Sequence, residues 1–417
     1  MKILFLTENF PPETNAAATR VYERALYWVR DGHQVTVITS APNFPQGRLH
    51  EGWQNRWHQT ELMDGIRVVR VKTYIAANRG TARRTLDFIS FMVTACVAGL
   101  FEKRPDVIAA TSPQFFAAVG GWLLAAVRRL PFVFELGDLW PASIVAVGAM
   151  RPSLSLRLLE KLELFLYRRA ACVAALTHTF KENLISRGIA ADKIAVVING
   201  VDSWRYTPQT RDQNLAEQWG LGDKFVLGYV GTHGMAHGLS NILAAAEILR
   251  DRDDIRFLLA GDGAERAALL AQAAKSELKN VVFLPPQPKA MMPKVWSLCD
   301  IALVHLKDTP TFAGVIPSKM FEAMGMGLPV LMALPTGEAS AILARDGAGL
   351  HIPPENPEAL ANAARTLCDD HELRNRLARQ SLAAAPRHSR EVQAQQMIQV
   401  LEAAAQGRGG NAGGNTT

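Results

Sequence analysis

Cysteine is scarce in this 417-residue sequence, and the four cysteines, Cys96, Cys172, Cys299 and Cys368, lie far apart. No two form a CxxC pair, and none has the Cys/His spacing of a zinc site. A disulfide framework and a structural zinc site are therefore disfavoured, and a reducing compartment fits. Charged residues make up 20% and apolar residues 48% of the chain. This composition excludes a disordered chain, a collagen-like chain and a multi-span membrane protein.

Long hydrophobic runs are missing as well. The N-terminal apolar run ends at Glu8 and has no small-residue cleavage site, so it does not resemble a signal peptide. The charge-free run Phe88–Leu100 has 13 residues, fewer than the ~20 that a bilayer requires. A second run covers Phe115–Val127. These runs predict buried helices, helices lying shallowly in a membrane surface, or both at once. Basic residues that could meet lipid phosphates flank them: Arg79, Arg83, Arg84, Lys103, Arg104, Arg128 and Arg129.

Positive charge is concentrated in the first half of the chain. Residues 1–200 hold 24 Lys and Arg against 16 Asp and Glu, whereas the remainder holds 21 against 23. The first half therefore carries a net charge of +8 and the second −2. A basic half indicates an acidic partner such as nucleic acid, a phosphorylated substrate or an anionic lipid surface. An ordinary solvated surface would have the same composition.

The hydrophobic pattern predicts two consecutive α/β domains. Lys2–Thr7 is a buried strand, a helical pattern runs from Ala16 to Val29, and a second strand covers His33–Thr39. This β-loop-α-β order restarts at Phe225 after a polar seam. We expect a first domain over 1–203, a second over 204–385, a helix over 386–406 packing back on the first domain, and a disordered tail over 407–417. The other expected strands are Val68–Val71, Val107–Ala110, Phe132–Glu135, Val173–Leu176, Ile194–Ile198, Arg256–Ala260, Val281–Leu284, Ile301–His305 and Pro329–Met332.

A glycine-rich loop follows the first strand of the second domain. Its glycines at Gly228, Gly231 and Gly234 are three apart, unlike GxGxxG, and the Lys-Ser/Thr of a P-loop is missing. A dinucleotide oxidoreductase is therefore disfavoured. Free backbone N–H groups before a helix can still hold a phosphate, and His233 and His237 could add donors. The alternative is a tight turn with solvated histidines.

The segment PSKMFEAMGMGLPV, from Pro317 onwards, is the most informative part of the chain. Lys319 and Glu322 lie three residues apart, on one face of a helix for which Ser318 is a suitable N-cap. Glu322 could accept hydrogen bonds from two vicinal hydroxyls such as a ribose diol, and Lys319 could offset diphosphate charge without a metal. The alternative is a capped helix with an ion pair.

This segment resembles the donor-site helix of retaining glycosyltransferases of family 4, which have the GT-B fold. Three other segments resemble the family in the same chain order, so that the match spans roughly residues 1 to 400. In detail the sequence is most similar to a bacterial branch that makes O-antigen and capsule and includes fucosamine-transferase-like enzymes. The three segments are Asn9–Glu13, Ile198–Asp202 and Gly261–Gly263.

The resemblance implies two Rossmann-like, doubly wound parallel-sheet domains that face each other across a cleft. It implies catalytic roles for Asp138, Lys319 and Glu322, although Asp138 could equally cap a loop beside Trp140. The implied donor-binding residues are Gly231, Thr232, His233, Gly234, His237, Gly261, Pro317, Ser318, Lys319 and Glu322. The implied acceptor and cleft residues are Asn9, Pro12, Glu13, Asn15, Asp138 and Trp140.

Three positions depart from the family pattern. Gly314 stands where the family has the first of two glutamates, Thr232 where it has an arginine, and His237 where it has a lysine. Phosphate neutralisation is therefore expected to depend on Lys319, backbone amides and the histidines.

The implied activity is transfer of an N-acetylated or deoxy sugar from a nucleotide-diphosphate donor, for which UDP is the favoured nucleotide. The acceptor would be a polyprenyl-diphosphate-linked saccharide of bacterial surface polysaccharide. The enzyme would be cytoplasmic and peripheral on the anionic inner face of the cytoplasmic membrane, with no cofactor, no metal and no nucleic-acid partner. A nucleotide-sugar epimerase of the same fold and a non-catalytic assembly scaffold are the alternatives.

Overall fold

The computed structural model describes residues 1–13, 15–44, 46–75, 81–112, 114–139 and 154–407. The chain divides into two compact units, Met1–Asn199 with Arg390–Thr417, and Gly200–Ser389. The boundaries thus lie at 199/200 and 389/390, a few residues from the expected 203/204 and 385/386. The expected tail beyond Gly407 lies outside the described residues.

The first unit is built on an eight-stranded sheet with the order β3-β4-β2-β1-β5-β6-β7-β8. All neighbouring strands pair in parallel except β3 and β4, which form an antiparallel hairpin. The strands are β1 (Lys2–Leu6), β2 (Gln34–Ser40), β3 (His58–Met63), β4 (Ile66–Val71), β5 (Val107–Thr111), β6 (Phe132–Leu136), β7 (Cys172–Ala175) and β8 (Ile194–Val196).

Strand β3, which the sequence reading did not identify, is the one antiparallel member of the otherwise parallel first sheet. It is joined to β4 by the two residues Asp64 and Gly65, which have φ of 49° and 82°. A two-residue connection with two positive φ angles is the hairpin turn that Asp-Gly favours. Because so short a loop can join only antiparallel strands, β3 has to run against its neighbour.

Six helices cover this sheet in the described part of the first unit. They are α1 (Ala16–Arg30), α2 (Thr81–Phe101), α3 (Phe115–Arg128), α4 (Leu154–Arg169), α5 (His178–Ser186) and the C-terminal α14 (Arg390–Ala405).

Helix α14 completes the core of the first unit, although it lies some 190 residues further along the chain. It contacts α1, where Trp28 donates from Nε1 to the Ala394 carbonyl at 2.9 Å. Met397 and Leu401 are fully buried in the same cluster as Phe5. The return of the chain therefore covers apolar surface that the first 199 residues leave uncovered.

Helix α2 is longer than its charge-free segment. It has 21 residues, and its Arg83–Phe101 stretch is long and apolar enough, by length and composition alone, to cross a membrane. The expectation that this segment is too short is therefore wrong on length. The helix nevertheless has two faces, since Phe91 and Ala95 are buried in the core whereas Val97 is half-exposed.

The second unit is built on a six-stranded parallel sheet with the order β11-β10-β9-β12-β13-β14. The sequence reading missed only its last, short edge strand. The strands are β9 (Phe225–Val230), β10 (Ile255–Ala260), β11 (Val281–Leu284), β12 (Ile301–His305), β13 (Val330–Ala333) and β14 (Gly349–Ile352). The helices are α6 (Gln213–Gln218), α7 (Ser240–Ile248), α8 (Arg266–Lys275), α9 (Met292–Ser297), α10 (Lys319–Gly325), α11 (Glu338–Asp346), α12 (Pro357–Asp369) and α13 (His371–Ala384).

Each sheet reverses its strand order at one point. In the second unit the chain leaves β9 toward β10 and later returns to β12 on the other side of β9. In the first unit the same reversal lies between β1 and β5. Loops diverge at such a point and leave a crevice at the carboxyl ends of the strands, where open α/β sheets bind ligands.

Candidate functional site

The loops after β9 and β10 are joined backbone to backbone. The N–H of Gly231 donates to the Ala260 carbonyl at 2.9 Å, and the N–H of His233 donates to the Asp262 carbonyl at 2.8 Å. Gly261 has φ of 144°, and a Cβ atom there would lie 1.9 Å from the Gly231 carbonyl oxygen. Only glycine permits this approach, which fixes the shape of the Gly231–Gly234 loop.

The histidines of this loop are not solvated, contrary to the expected alternative. His233 is completely buried, and neither ring nitrogen has a hydrogen-bond partner among the described residues. Burial, with the charges of Arg266 and Lys319 adding to it, lowers the pKa of His233 to about 4. Burial and the Lys319 charge likewise lower the pKa of His237 to about 3, and its Nδ1 is an unpartnered buried atom. Both imidazoles are therefore neutral at pH 7.

His305 and Asn241 hold the end of the glycine loop through the His237 carbonyl. The sequence reading did not identify either residue as part of the site. His305 ends β12, and its Nδ1 lies 2.7 Å from the His237 carbonyl oxygen. Because a carbonyl only accepts, Nδ1 carries the proton, and Nε2 accepts from Asn241 Nδ2 at 2.8 Å. Burial lowers the pKa of His305 to about 4. The end of β12 was visible in the sequence, whereas the pairing with α7 depends on the tertiary fold.

Ser318 does not cap the helix that carries Lys319 and Glu322, so this expectation is wrong. Its backbone is helical, with φ of −60° and ψ of −26°, and its side chain makes no capping hydrogen bond. Instead, the N–H of Met320 donates to the Pro317 carbonyl at 3.1 Å, which places a tight turn before the helix. Helix α10 has only seven residues. Its importance lies in the two side chains that it presents.

Lys319 points into the loop region rather than toward solvent. Its Nζ is enclosed, lies 3.5 Å from the centroid of the Tyr229 ring, and has no hydrogen-bond partner among the described residues. A Cβ atom on Gly231 would lie 2.9 Å from this Nζ. Burial lowers the pKa of Lys319 to about 7, against the opposing effect of Glu322. Within the described part of the chain, the ammonium therefore lies beside the glycine loop against the face of the Tyr229 ring.

Glu322 lies one turn further along α10 and is half-buried. Its Oε2 accepts from Nε1 of Trp296 at 3.2 Å. Trp296 belongs to α9, is completely buried, and was not identified from the sequence. The structure thus brings four predicted positions together around β9: Gly231, His233, Lys319 and, one helical turn away, Glu322.

The remaining predicted donor positions surround this group. Thr232 is exposed, and its carbonyl accepts from the Tyr229 hydroxyl at 2.8 Å. Gly234 and Pro317 are half-buried. Gly314, where the family has a glutamate, is buried at the end of a 3-10 turn over Pro310–Gly314. In the described ranges no group of three or more His, Cys, Asp or Glu side chains could hold a metal ion.

In the first unit, several predicted acceptor residues hold the loops in place. Glu13 is buried, and its carboxylate accepts from the backbone N–H groups of Asn43 and Phe44, both at 2.8 Å, and of Phe10 at 3.2 Å. Asn15 is the N-cap of α1, accepting from the Ala18 N–H at 2.9 Å. These contacts give Glu13 and Asn15 a structural role.

The other described members of the predicted first-unit set lie near the carboxyl ends of β1 and β6. Asn9 is buried, and its Oδ1 accepts from Gln114 Nε2 at 2.6 Å across the strand-order reversal. Pro12 is exposed, and Asp138 is half-buried two residues beyond β6. Trp140 lies outside the described residues.

Glu8 is a buried carboxyl that the sequence reading did not single out. It lies beyond the end of β1 and is 6% exposed. Burial, together with the nearby charges of Asp87 and Glu13, raises its pKa well above the usual value, against the opposing charge of Arg84. Asn9, Gln114 and Asp138 follow the neighbouring strands β1, β5 and β6. The loops at this edge of the first sheet are therefore polar.

Comparisons with known proteins identify the family. The description "Glycosyl transferases group 1" matches residues 211–383, and "Glycosyl transferase 4-like domain" matches residues 15–200. The chain is a family 4-type glycosyltransferase. Across 378 residues it is 26% identical to a protein of Escherichia coli (strain K12), WcaI, whose name assigns it to colanic acid biosynthesis as a glycosyl transferase. That alignment covers 88% of this chain and 91% of WcaI.

Solved structures confirm the GT-B fold of this glycosyltransferase. Sucrose-phosphate synthase from Thermosynechococcus elongatus superposes with a TM-score of 0.77 at 16% identity, over 96% of this chain and 98% of that one. Anabaena Alr3699/HepE in complex with UDP-glucose gives 0.72 at 20% identity, over 97% and 100%. At these identities the likeness concerns the fold.

Proposed function

We propose that this glycosyltransferase moves a sugar, with retention of anomeric configuration, from a UDP-linked donor that is N-acetylated or deoxy. The acceptor is a polyprenyl-diphosphate-linked saccharide of bacterial surface polysaccharide. One observation carries the donor class. Lys319 Nζ, both ring nitrogens of His233 and Nδ1 of His237 are buried beside the glycine loop without partners in the described chain. Unpaired buried polar groups cost about 1–3 kcal/mol each, and a diphosphate offers acceptor oxygens that remove this cost.

The chemistry of these groups suits departure of a nucleoside diphosphate. As the bond between the anomeric carbon and the diphosphate oxygen breaks, negative charge develops on that oxygen. A protonated Lys319 and the backbone N–H groups of the Gly231–Gly234 loop stabilise such charge, since they are fixed before the reaction begins. Glu322 accepts from the ribose hydroxyls. Because the cation is a side chain, the proposal requires no metal.

The comparisons support the substrate classes. The neighbour HepE is described with UDP-glucose, and the name of WcaI places it in colanic acid biosynthesis. We extend these classes to the present chain as a UDP-sugar donor and a surface-polysaccharide acceptor. Asp138 is the proposed contact for the sugar or the acceptor hydroxyl.

The test is nucleotide release from UDP-, GDP- and dTDP-sugars, with and without inner-membrane lipid extract and with EDTA present. Wild type is compared with Glu322→Ala and with Glu358→Ala, which also removes a first-turn glutamate, but an exposed one on α12. We expect lipid-dependent release of UDP that survives EDTA, is lost in Glu322→Ala and is kept in Glu358→Ala. Lipid-independent interconversion of the sugar would identify an epimerase instead, and no release from any donor would contradict the proposal.

We also propose that the first unit is peripheral on the anionic inner face of the cytoplasmic membrane. The outer face of α2 exposes Val93, Val97 and Phe101, of which Phe101 is 86% exposed. Arg128 at the end of α3 donates to the Gly99 carbonyl at 2.6 Å, so the ends of α2 and α3 lie side by side. An apolar stripe with neighbouring cations is the pattern of an interfacial helix. The cations that follow the two helices are Lys103, Arg104 and Arg129.

Vesicle sedimentation tests this second proposal. We expect binding to phosphatidylglycerol vesicles and weaker binding to phosphatidylcholine vesicles. Val97→Glu with Phe101→Glu should reduce binding at least tenfold, because both charges would enter the apolar layer. Leu382→Glu is the control, since Leu382 is similarly exposed but belongs to the second unit. Equal binding by all three proteins would contradict the assignment.

A further inference from the structure

The carboxyl of Glu8 is buried in the first unit without a partner of its own. The residue is 6% exposed, and in the described part of the chain no hydrogen bond or ion pair reaches its carboxyl. Its backbone is fixed, because the Glu8 carbonyl accepts from Thr39 Oγ1 at 2.9 Å and from Ser40 Oγ at 2.8 Å. The carboxyl therefore starts from a fixed point beyond the end of β1 and keeps its full capacity for hydrogen bonds.

Two further side-chain oxygens without partners follow strands on either side of Glu8. Thr73 follows β4, is 4% exposed, and its hydroxyl has no hydrogen-bond partner among the described residues. Gln114 follows β5, and its Nε2 donates to Asn9 Oδ1 at 2.6 Å, whereas its buried Oε1 accepts from no described group. In the order β4-β2-β1-β5 these side chains lie along one edge of the sheet, beside the strand-order reversal. Open α/β sheets bind ligands at such a place.

The charges around Glu8 favour a carboxyl that donates a hydrogen bond. Burial raises its pKa well above the usual value, and the charges of Asp87 and Glu13 add to this effect against the opposing charge of Arg84. Asp87 and Arg84 belong to α2, and Glu13 belongs to the loop between β1 and α1. The carboxyl therefore keeps its proton at a pH at which an ordinary glutamate is ionised. A protonated carboxyl supplies one O–H donor and still accepts at its other oxygen.

These groups together suit a neutral sugar. A hydroxyl both donates and accepts, so adjacent hydroxyls on a ring need partners of both kinds. Glu8 supplies a donor, Gln114 Oε1 supplies an acceptor, and the Thr73 hydroxyl can be either. An anionic ligand would meet the charges of Asp87 and Glu13, and an apolar ligand would leave the buried polar groups unpaired.

We propose that Glu8, Thr73 and Gln114 form a subsite for a neutral sugar of the acceptor, with the protonated Glu8 carboxyl donating to a sugar oxygen. This inference rests on the proposed function, because it takes the first unit as the part that binds the acceptor saccharide. It adds the class of sugar, which carries adjacent hydroxyls and no charge. The groups proposed to bind the donor diphosphate belong to the second unit, so the two proposals can fail separately.

Acceptor dependence at several pH values tests the subsite. UDP release is measured against increasing amounts of inner-membrane lipid extract, at a saturating concentration of the UDP-sugar that gives lipid-dependent turnover, between pH 5 and pH 9. The variants are Glu8→Gln, Glu8→Leu, Thr73→Val and Gln114→Leu. Glutamine is a neutral donor with the shape of a protonated glutamate, whereas leucine has no donor. Glu163→Gln is the control, since burial also raises the pKa of Glu163, but its carboxylate accepts from Tyr167 and Arg187.

We expect the wild-type KM for the extract to rise about tenfold as the pH passes the raised pKa of Glu8, because the ionised carboxyl no longer donates. In Glu8→Gln the KM should stay near the low-pH wild-type value throughout, and in Glu8→Leu it should be about tenfold higher throughout. Thr73→Val and Gln114→Leu should raise the KM several-fold and keep the wild-type pH trend. Glu163→Gln should keep the wild-type profile, and any effect of Lys319 titration is common to all these proteins.

Urea unfolding gives a second readout that needs no acceptor. Above the ordinary glutamate pKa of about 4.3 the unfolded chain loses the Glu8 proton while the folded chain keeps it. The free energy of unfolding of wild type should therefore fall, relative to that of Glu8→Gln, until the pH passes the raised pKa.

Each contrary outcome falls on one of the two proposals. A Glu8→Gln variant as impaired as Glu8→Leu would overturn the inference, because an ionised carboxylate would then be required. A wild-type KM that is independent of pH would overturn it as well. Should Glu8→Leu fail to fold, Gln114→Leu decides, and a KM equal to that of wild type would count against the subsite. Absence of UDP release by wild type from any UDP-sugar would instead contradict the proposed function.

Discussion

Lys319 is the residue at which the stability of the fold and the proposed binding of the donor conflict most directly. Its Nζ is enclosed against the Tyr229 ring and has no hydrogen-bond partner among the described residues. Burial lowers the pKa of Lys319 to about 7. Folding therefore either removes a proton from the ammonium or buries its charge, and both cost free energy. Such strain is retained where a ligand later compensates for it.

We predict that Lys319→Met stabilises the ligand-free protein and abolishes UDP binding. Each unit by which burial lowers a lysine pKa costs about 1.4 kcal/mol, so the gain should reach a few kcal/mol at pH 7. Urea unfolding and calorimetric titration measure the two effects. Lys294→Met, at an exposed lysine of α9, should change neither. A destabilised variant that still binds UDP would contradict the prediction.

The same pKa predicts opposite pH trends for stability and binding. Above pH 7 the unfolded state keeps the lysine proton and the folded state loses it, so the free energy of unfolding rises with pH up to about 10. UDP binding prefers the charged ammonium, so affinity should fall above pH 7 and binding should take up a proton. Titration at pH 8 in buffers of different ionisation enthalpy counts that proton. The groups that face Lys319 are Tyr229, Glu322, His233, His237 and His305.

At the scale of elements, the joined loops after β9 and β10 decide the shape of the proposed donor site. Gly261 lies so close to the Gly231 carbonyl that no side chain fits between them. Because the loops share backbone hydrogen bonds, displacing one displaces the other, together with the N–H groups proposed to meet phosphate.

We predict that Gly261→Ala weakens UDP binding at least tenfold and destabilises the protein by about 2 kcal/mol, since a Cβ atom would force the loops apart. Gly188→Ala is the control. Gly188 also has a positive φ, of 82°, but nothing lies within 4 Å of its added Cβ. We expect Gly188→Ala to lower the thermal stability, measured by thermal unfolding, and to leave the UDP affinity unchanged. Equal UDP affinity in both variants would show that the loop contact is irrelevant to the donor.

At the scale of the whole molecule, the two units divide the proposed work. The orphaned buried atoms proposed to meet the diphosphate all belong to Gly200–Ser389, whereas the exposed apolar stripe belongs to the first unit. Each unit has its own sheet and its own core. Binding of a nucleotide should therefore reduce local opening in the second unit and leave the first unit unchanged.

We predict that UDP slows amide hydrogen exchange in residues 231–238, 261–266 and 317–325 and leaves β5 of the first unit unchanged. Ligand contact and loop ordering both reduce local opening, which is what exchange reports. Mass spectrometry of peptic fragments measures it, with Lys319→Met plus UDP as the reference without binding. Protection confined to the first unit would place the nucleotide elsewhere.

Much of this architecture could be predicted from the sequence, for a physical reason. Parallel strands covered on both faces need continuous apolar runs, such as Phe225–Val230, so the two α/β halves were visible. The short-range spacing of Lys319 and Glu322 likewise placed both on one helix. Two expectations failed because a local turn prevailed over the expected structure. The Asp-Gly turn pairs β3 with β4 as a hairpin, and a tight turn at Pro317 takes the place of a Ser318 cap.

The sequence by itself determined the strand–loop–helix order, the glycine loop and the residue types of helix α10, because these depend on neighbours a few positions apart. Only the tertiary structure decided which groups became buried without partners and which became fixed. The Trp296–Glu322 bond joins residues 26 positions apart, His305 meets Asn241 across 64, and Trp28 meets Ala394 across 366. Such contacts arise from the packing of elements around a sheet, which no local pattern encodes.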